Sequence, residues 1–284
     1  MKDMFGNHKS IIAPSCLVAL TAVLCSCGVD RTREVIMPPE EWTLVWSDEF
    51  DAAEGTPVDS SKWLHDVGGH GWGNNQLEFN TDRTENVQHD GQGSLVITAR
   101  KEDYGTNAYT SARIKTESKF DTKYGRVEAR IRLPEGQGIW PAFWMLGANF
   151  TEVGWPECGE IDIMEFRGQE TDTVQSSLHG PGYSGGSPIS GVFKNKELSF
   201  ADDFHVFAVD WDPSRFTFWV DDQIINVINS DVVRSRGTWV YSHPFFIILN
   251  VAIGGAYVGD PDDSTIFPQE MLVDYVRVFE RSQK

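Results

Sequence analysis

The sequence has few cysteines, a shortage of positive charge and no segment that keeps a helical period. Of its 284 residues four are cysteine, and Cys16, Cys25 and Cys27 all fall near the N-terminus. Only Cys158 lies in the body of the chain, which excludes an intramolecular disulfide as its staple. Nothing beside Cys158 marks an activated thiol, so it reads as a small buried hydrophobe and not as a nucleophile. Lys and Arg number 24 against 42 Asp and Glu, a formal net charge of −18. A chain so poor in basic groups lacks the surface that a phosphate backbone requires, which excludes a nucleic-acid partner and favours a neutral, polar ligand. Apolar residues nowhere hold a three-to-four spacing over three turns, and there is no internal repeat or low-complexity block.

Long apolar runs are also scarce. The one at the N-terminus, "IIAPSCLVALTAVL", follows Lys2 and Lys9 and ends at Leu24-Cys25-Ser26-Cys27. It is too short for a stable membrane span and has the layout of an export signal. The last four residues resemble a bacterial lipobox, so residues 1–26 are expected to be a lipoprotein signal peptide and Cys27 the lipidated residue. An exported, lipid-anchored protein of the bacterial envelope follows, touching the membrane through the anchor alone. Residues 27–41, polar and carrying a Pro-Pro pair, suit a tether.

What is abundant from Trp42 onward is alternation. In "GRVEARIRLP" (125–134), Val127, Ala129, Ile131 and Leu133 share one face and the charged residues the other, the signature of a half-buried strand. Comparable runs are 94–100, 109–117, 205–211, 216–220, 245–253 and 272–280, separated by Gly, Pro, Asn and Asp clusters, with "VDDQ" (220–223) a hairpin turn. Forty per cent apolar residues suffice for one large core, and residues 42–282 are expected to form a single all-β domain. The expected architecture is an antiparallel β-sandwich jelly roll, concanavalin-like, whose curved sheet offers a concave cleft for an extended ligand.

One strand breaks the rule. In "EIDIME", Glu160, Asp162 and Glu165 sit among Ile161, Ile163 and Met164. A regular strand would turn Glu165 into the core beside the isoleucines, at prohibitive desolvation cost. A β-bulge absorbing one extra residue would return it to the face of Glu160 and Asp162. The two glutamates are then about 13 Å apart along the backbone, and long side chains leaning together bring their carboxyls to about 5 Å, the separation used in retaining glycoside hydrolysis. There, one carboxyl must be ionised to attack the anomeric carbon while the other holds a proton for the leaving oxygen, and mutual repulsion pushes one of them up. Asp162, between them, can share a proton with a neighbour.

With "GIWPAFWMLG" (138–147) and "GWPECG" before it, the motif resembles glycoside hydrolase family 16, in the laminarinase-like branch whose bulged motif is E-x-D-x-x-E. The likeness runs from "WSDEF" (46–50) to "DYVRVFE" (274–280). It implies a catalytic domain over 42–282 that cleaves internal β-1,3 bonds of laminarin-type or mixed-linkage glucans with retention. Glu160 would be the nucleophile, Glu165 the general acid/base and Asp162 the assisting carboxylate, with no cofactor in the reaction. The alternatives are a same-fold hydrolase of a marine galactan, of agarase or carrageenase type, or a non-catalytic anchored glycan-binding protein.

Sugars need flat apolar surfaces for their C–H faces and polar groups for their hydroxyls. Trp140, Trp144 and Trp155 lie close to Glu160 in the chain, and Trp72 sits in the glycine-rich loop "GGHGWGNNQLEF" (68–79). Trp140 and Trp144, four apart on a strand, share a face. The resemblance adds Asn75, Arg113, His179 and Asn250 to the cleft, and it places Gln76 and Glu78 where relatives commonly carry Glu and Gln. It also implies a structural calcium ion held by Glu49, Gly93 and Asp274 on the convex side, away from the acids; oxygen donors suit that ion. A monomer acting on a polysaccharide is expected.

Overall fold

A computed structural model describes residues 42–282. The expected signal peptide, Cys27 and the tether lie outside the described residues. Strands carry nearly all the regular structure. In chain order they begin with β1 (Trp42–Asp48), β2 (Leu64–His65), β3 (Glu78–Asn80), β4 (Val87–His89), β5 (Leu95–Tyr104) and β6 (Asn107–Ser111). Next come β7 (Arg113–Lys115), β8 (Gly125–Arg132), β9 (Ile139–Gly147), β10 (Glu160–Phe166), β11 (Thr173–His179) and β12 (Ile189–Lys194). The last are β13 (His205–Asp212), β14 (Arg215–Val220), β15 (Gln223–Asn229), β16 (Phe245–Ile253) and β17 (Gln269–Arg281). Two short helices, α1 (Phe150–Val153) and α2 (Ser230–Arg236), sit in connections.

The strands form two sheets. Ten strands follow the order β15-β14-β13-β8-β17-β5-β6-β3, with β1 beside β17 and β4 beside β5. Seven follow β12-β11-β10-β9-β16-β7-β2. Pairing is antiparallel except for β3 with β6, which run parallel. The run 109–117, expected as one strand, is two: β6 belongs to the larger sheet and β7 to the smaller, so the chain changes sheets at buried Ala112. Val220 pairs with Gln223, closing the expected hairpin, with Asp221 at φ 51 in the left-handed region.

One continuous apolar core lies between the sheets. On β8, Val127, Ala129 and Ile131 face it, while Arg126 pairs with Glu128 at 2.7 Å and with Asp210 at 2.9 Å on the other face. Strand β16 is buried at every residue, because Phe245, Ile247, Leu249, Val251 and Ile253 join the core and Phe246, Ile248 and Ala252 underlie apolar clusters on the opposite face. A run without alternation is what a central strand covered on both sides requires. The smaller sheet therefore has a second, furnished face, and the acids stand on it.

Candidate active site

The bulge in β10 is present in the register of both neighbours. Against β11, Asp162 faces Ser177 and Glu165 faces Gln175; against β9, Asp162 faces Trp144 and Met164 faces Phe143. The additional residue makes Ile163 and Met164 both turn inward, where they join Ile161 and Phe166 in the core. Glu160, Asp162 and Glu165 are left together on the outer face. The misplaced phase in the sequence is thus a device for gathering three carboxylates.

Their environment is dry. Asp162 is 3% exposed. Trp155 Nε1 donates to Glu160 Oε2 at 2.8 Å, and His179, directly across the ladder from Glu160, places Nε2 3.1 Å from Asp162 Oδ2 and 3.9 Å from Glu160 Oε1. Ser177 donates to Glu165 Oε2 at 3.4 Å and itself receives a bond from Gln175 Nε2 at 3.1 Å. Burial, then the charge of Asp162, pushes Glu160 up to about 8, with His179 and the Trp155 N–H opposing. Burial also raises Glu165 to about 7, opposed chiefly by His179 and assisted by the charge of Glu160. Asp162 is raised well above the usual range by burial and by Glu165. At neutral pH the trio therefore retains protons, the condition for a site that needs both an acid and a base.

Over β9, β16 and β7 the face continues as an aromatic platform. Trp144 Nε1 donates to Asn250 Oδ1 at 2.8 Å, and Asn250 pairs across the sheet with Arg113. The Arg113 guanidinium lies between two indoles, 4.7 Å from the Trp144 ring centre and 5.0 Å from that of Trp72. It is tied to Asp66 at 2.9 Å, so this side chain, expected to contact sugar, is largely occupied in holding the platform together. The loop carrying Trp72 and Asn75 closes with Gln76 N bonding Gly71 O at 3.1 Å, and Ala256 N bonds Asn74 O at 3.0 Å. Gly255, at φ 93, allows that approach, since a Cβ there would come within 2.7 Å of Asn74 O. Asn75 is exposed beside Trp72, in the left-handed region at φ 58. Trp140 packs on Tyr257 at 4.9 Å, with its indole toward Glu165.

Several participants had no signal in the sequence. Asp66 holds both Arg113 and, at 2.7 Å, Lys115; it comes from β2's flank, far away in the chain. Glu78, noted in the sequence only for its departure from the family's pattern, is fully buried, accepts from Ile253 N at 2.8 Å and is pushed by burial up to about 8. Ser177, Gln175 and Tyr257 look like ordinary strand or loop residues until β11 and the 254–259 loop are laid beside the acids. Cys158 is fully buried in an apolar cluster with Leu146, Phe246 and Ile248, and burial pushes its thiol up to about 11, as packing and not chemistry demands.

The three positions expected to hold calcium all lie in or beside the larger sheet. Asp48 pairs with Val276 and Leu95 with Val273, so Glu49 and Gly93 approach β17 around Asp274 from either side. The Glu49 carboxylate takes Arg277 at 3.0 and 2.8 Å, and Asp274 Oδ2 takes Arg130 at 2.9 Å. Two backbone carbonyls from residues just outside β1 and β5, with one carboxylate on β17, would fit a hard cation chemically.

Comparison with known proteins places the chain in a family. The family model "Glycosyl hydrolases family 16" matches residues 74–277. The chain is 42% identical over 274 residues to a beta-glucanase of Rhodothermus marinus, covering 92% of each. It is 35% identical to a glucan endo-1,3-beta-glucosidase of Cryptopygus antarcticus, covering 83% of this chain and 91% of that one. Among solved structures, the laminarinase catalytic domain from Thermotoga maritima MSB8 superposes with a TM-score of 0.81 at 49% identity, over 86% of this chain and all of that one. The chain belongs to glycoside hydrolase family 16, and its two sheets form that family's jelly roll.

Proposed function

We propose that the domain hydrolyses internal β-1,3 bonds of β-glucans with retention of configuration. The observation that carries this is the bulged strand β10, which sets Glu160, Asp162 and Glu165 on one dry face beside an aromatic platform. The relatives named above, a beta-glucanase, an endo-1,3-beta-glucosidase and a laminarinase, support glucan as the substrate class.

The roles are those the family resemblance implies, since burial raises both glutamates and does not by itself order them. For attack the proton of the Glu160–Asp162 pair must rest on Asp162, the less exposed of the two, leaving Glu160 ionised. Trp155 donates to one of its oxygens, and His179 stands 3.9 Å from the other. Glu165, raised to about 7, keeps a proton in a large fraction of molecules near neutrality. In the first step a Glu160 oxygen bonds the anomeric carbon as the glycosidic C–O bond breaks, and Glu165 transfers its proton to the leaving oxygen. In the second, Glu165 takes a proton from water, whose oxygen displaces Glu160 from the same carbon and restores both carboxyls. Trp72 and Trp144 offer surface to the glycone sugars, and Asn75 and Asn250 offer polar groups.

The proposal extends to a structural calcium at Glu49, Gly93 and Asp274, to a monomer, and to export with lipidation at Cys27. A reducing-sugar assay on laminarin, lichenan, agarose and carrageenan, with Glu160→Gln alongside, tests the activity. Release from laminarin by the parent alone is expected. Glycan binding without release, or equal release by the variant, would overturn the reading.

A further inference from the structure

The furnished face extends to both sides of β10. The aromatic platform lies over β9, β16 and β7, and the charge of Arg113 there is felt by Glu160. Beyond Glu165, beside β11 and β12 and bordered by Tyr257 of the loop after β16, is a recess lined by Glu165, Arg167, Glu170, Gln175, Val192 and Tyr257. Glu165 borders this recess and Glu160 does not.

Arg167 is the organising side chain. It follows Glu165 by two residues at the end of β10, so it continues on the same face. Its guanidinium lies 4.2 Å over the Tyr257 ring and 3.5 Å from Glu170 Oε1, while its buried Nε has no protein partner. Tyr257 is itself braced. It packs on Trp140, and its neighbour Val258 receives bonds on its carbonyl from Gln137 at 3.0 Å and Gln169 at 2.9 Å. A cation held flat on a fixed ring, its side chain still 36% exposed, is a prepared hydrogen-bonding surface.

We infer that this recess binds the sugar on the leaving side of the scissile bond and that Arg167 sets affinity and specificity there. The assignment rests on the reading of Glu165 as acid/base, because the group that protonates the leaving oxygen stands beside the leaving sugar. Glu170 balances the charge of Arg167, which suits a neutral glucosyl unit and not a sulfated or carboxylated one. Since Arg167 covers one face of Tyr257, recognition runs through hydroxyls accepting from the guanidinium and from the Gln175 amide, and donating to Glu170.

The test compares two substrates that differ on the leaving side, a β-1,3-glucan pentasaccharide and an aryl β-glycoside of the corresponding disaccharide. Arg167→Met removes the donors and keeps most of the stem; Arg167→Lys restores a charge without the planar fork. The ratio of kcat/KM for the pentasaccharide to that for the aryl glycoside should fall about tenfold in Arg167→Met, mostly through KM, and less in Arg167→Lys. A ratio in Arg167→Met within about twofold of the parent's would overturn the assignment, whether both activities held or both fell together. A parent inactive on both substrates would instead overturn the glucanase reading, and this inference with it.

Discussion

Replacing Trp155 by Phe removes one hydrogen bond at the reaction centre. An aromatic ring, though a smaller one, is kept, and the Nε1–H that reaches Glu160 Oε2 at 2.8 Å is lost. A bond to a charged acceptor contributes about 1.5–3 kcal/mol. Trp155 is 42% exposed, so water can partly replace it and the lower end applies. The expected loss is therefore about 1.5 kcal/mol, or roughly tenfold in kcat/KM on laminarin. The pH profile carries the sharper signature. Trp155 pulls the Glu160 carboxyl down against the larger effect of burial, so its removal raises that carboxyl further. Ionised Glu160 is then formed at higher pH, and the acid limb of kcat/KM moves upward. A tenfold loss with an unmoved acid limb would mean that Trp155 acts only as sugar-stacking surface, and the account of how Glu160 is held would be refuted.

Three further outcomes follow. Glu78 has a folded-state value of about 8 against an ordinary 4.5, so between those values the folded chain holds a proton that the unfolded chain has released, and stability falls as pH rises through that window. Glu78→Gln should keep the acceptor for Ile253 N and flatten the decline of Tm between about pH 5 and 8 relative to the parent; parallel curves would contradict the burial argument. Native protein at pH 8 should resist iodoacetamide at Cys158, since the side chain is covered and its thiol is raised to about 11, whereas the urea-unfolded chain should react; equal labelling of both would contradict its place as packing. If Glu49, Gly93 and Asp274 hold calcium, saturating ion at about a hundred times its Kd stabilises by about 2.7 kcal/mol, and calorimetry with EDTA or calcium should separate the Tm values; identical melting would remove the ion from the account.

The site was legible where the chemistry disturbed a local pattern. Glu165 is out of phase with Glu160 and Asp162, and only a bulge reconciles its charge with the apolar residues around it, so the register of β10 could be read from six letters. Trp140 and Trp144 were legible for the same reason, since the period of a strand fixes their common face. Partners contributed by distant segments were not. Asp66 meets Arg113 only because β2 docks on β7, and no local rule anticipates that pairing. The resemblance placed Arg113 in the cleft, but its own segment gave no sign that Asp66 holds its guanidinium against Trp72 and Trp144. The run 109–117 alternates smoothly through Ala112, so its crossing from one sheet to the other left no mark. Sheet membership is decided by packing across the core, to which a period of two is blind.

The central claim is that Glu160 is the nucleophile of a double displacement. An aryl 2-deoxy-2-fluoro β-glycoside of the β-1,3-linked disaccharide slows both steps and lets the covalent intermediate accumulate. Mass spectrometry of the protein and of its peptides should find one added fluoro-disaccharide unit, esterified to Glu160. A unit on Glu165, or turnover of glucan with inverted configuration and no adduct on any carboxylate, would contradict the account.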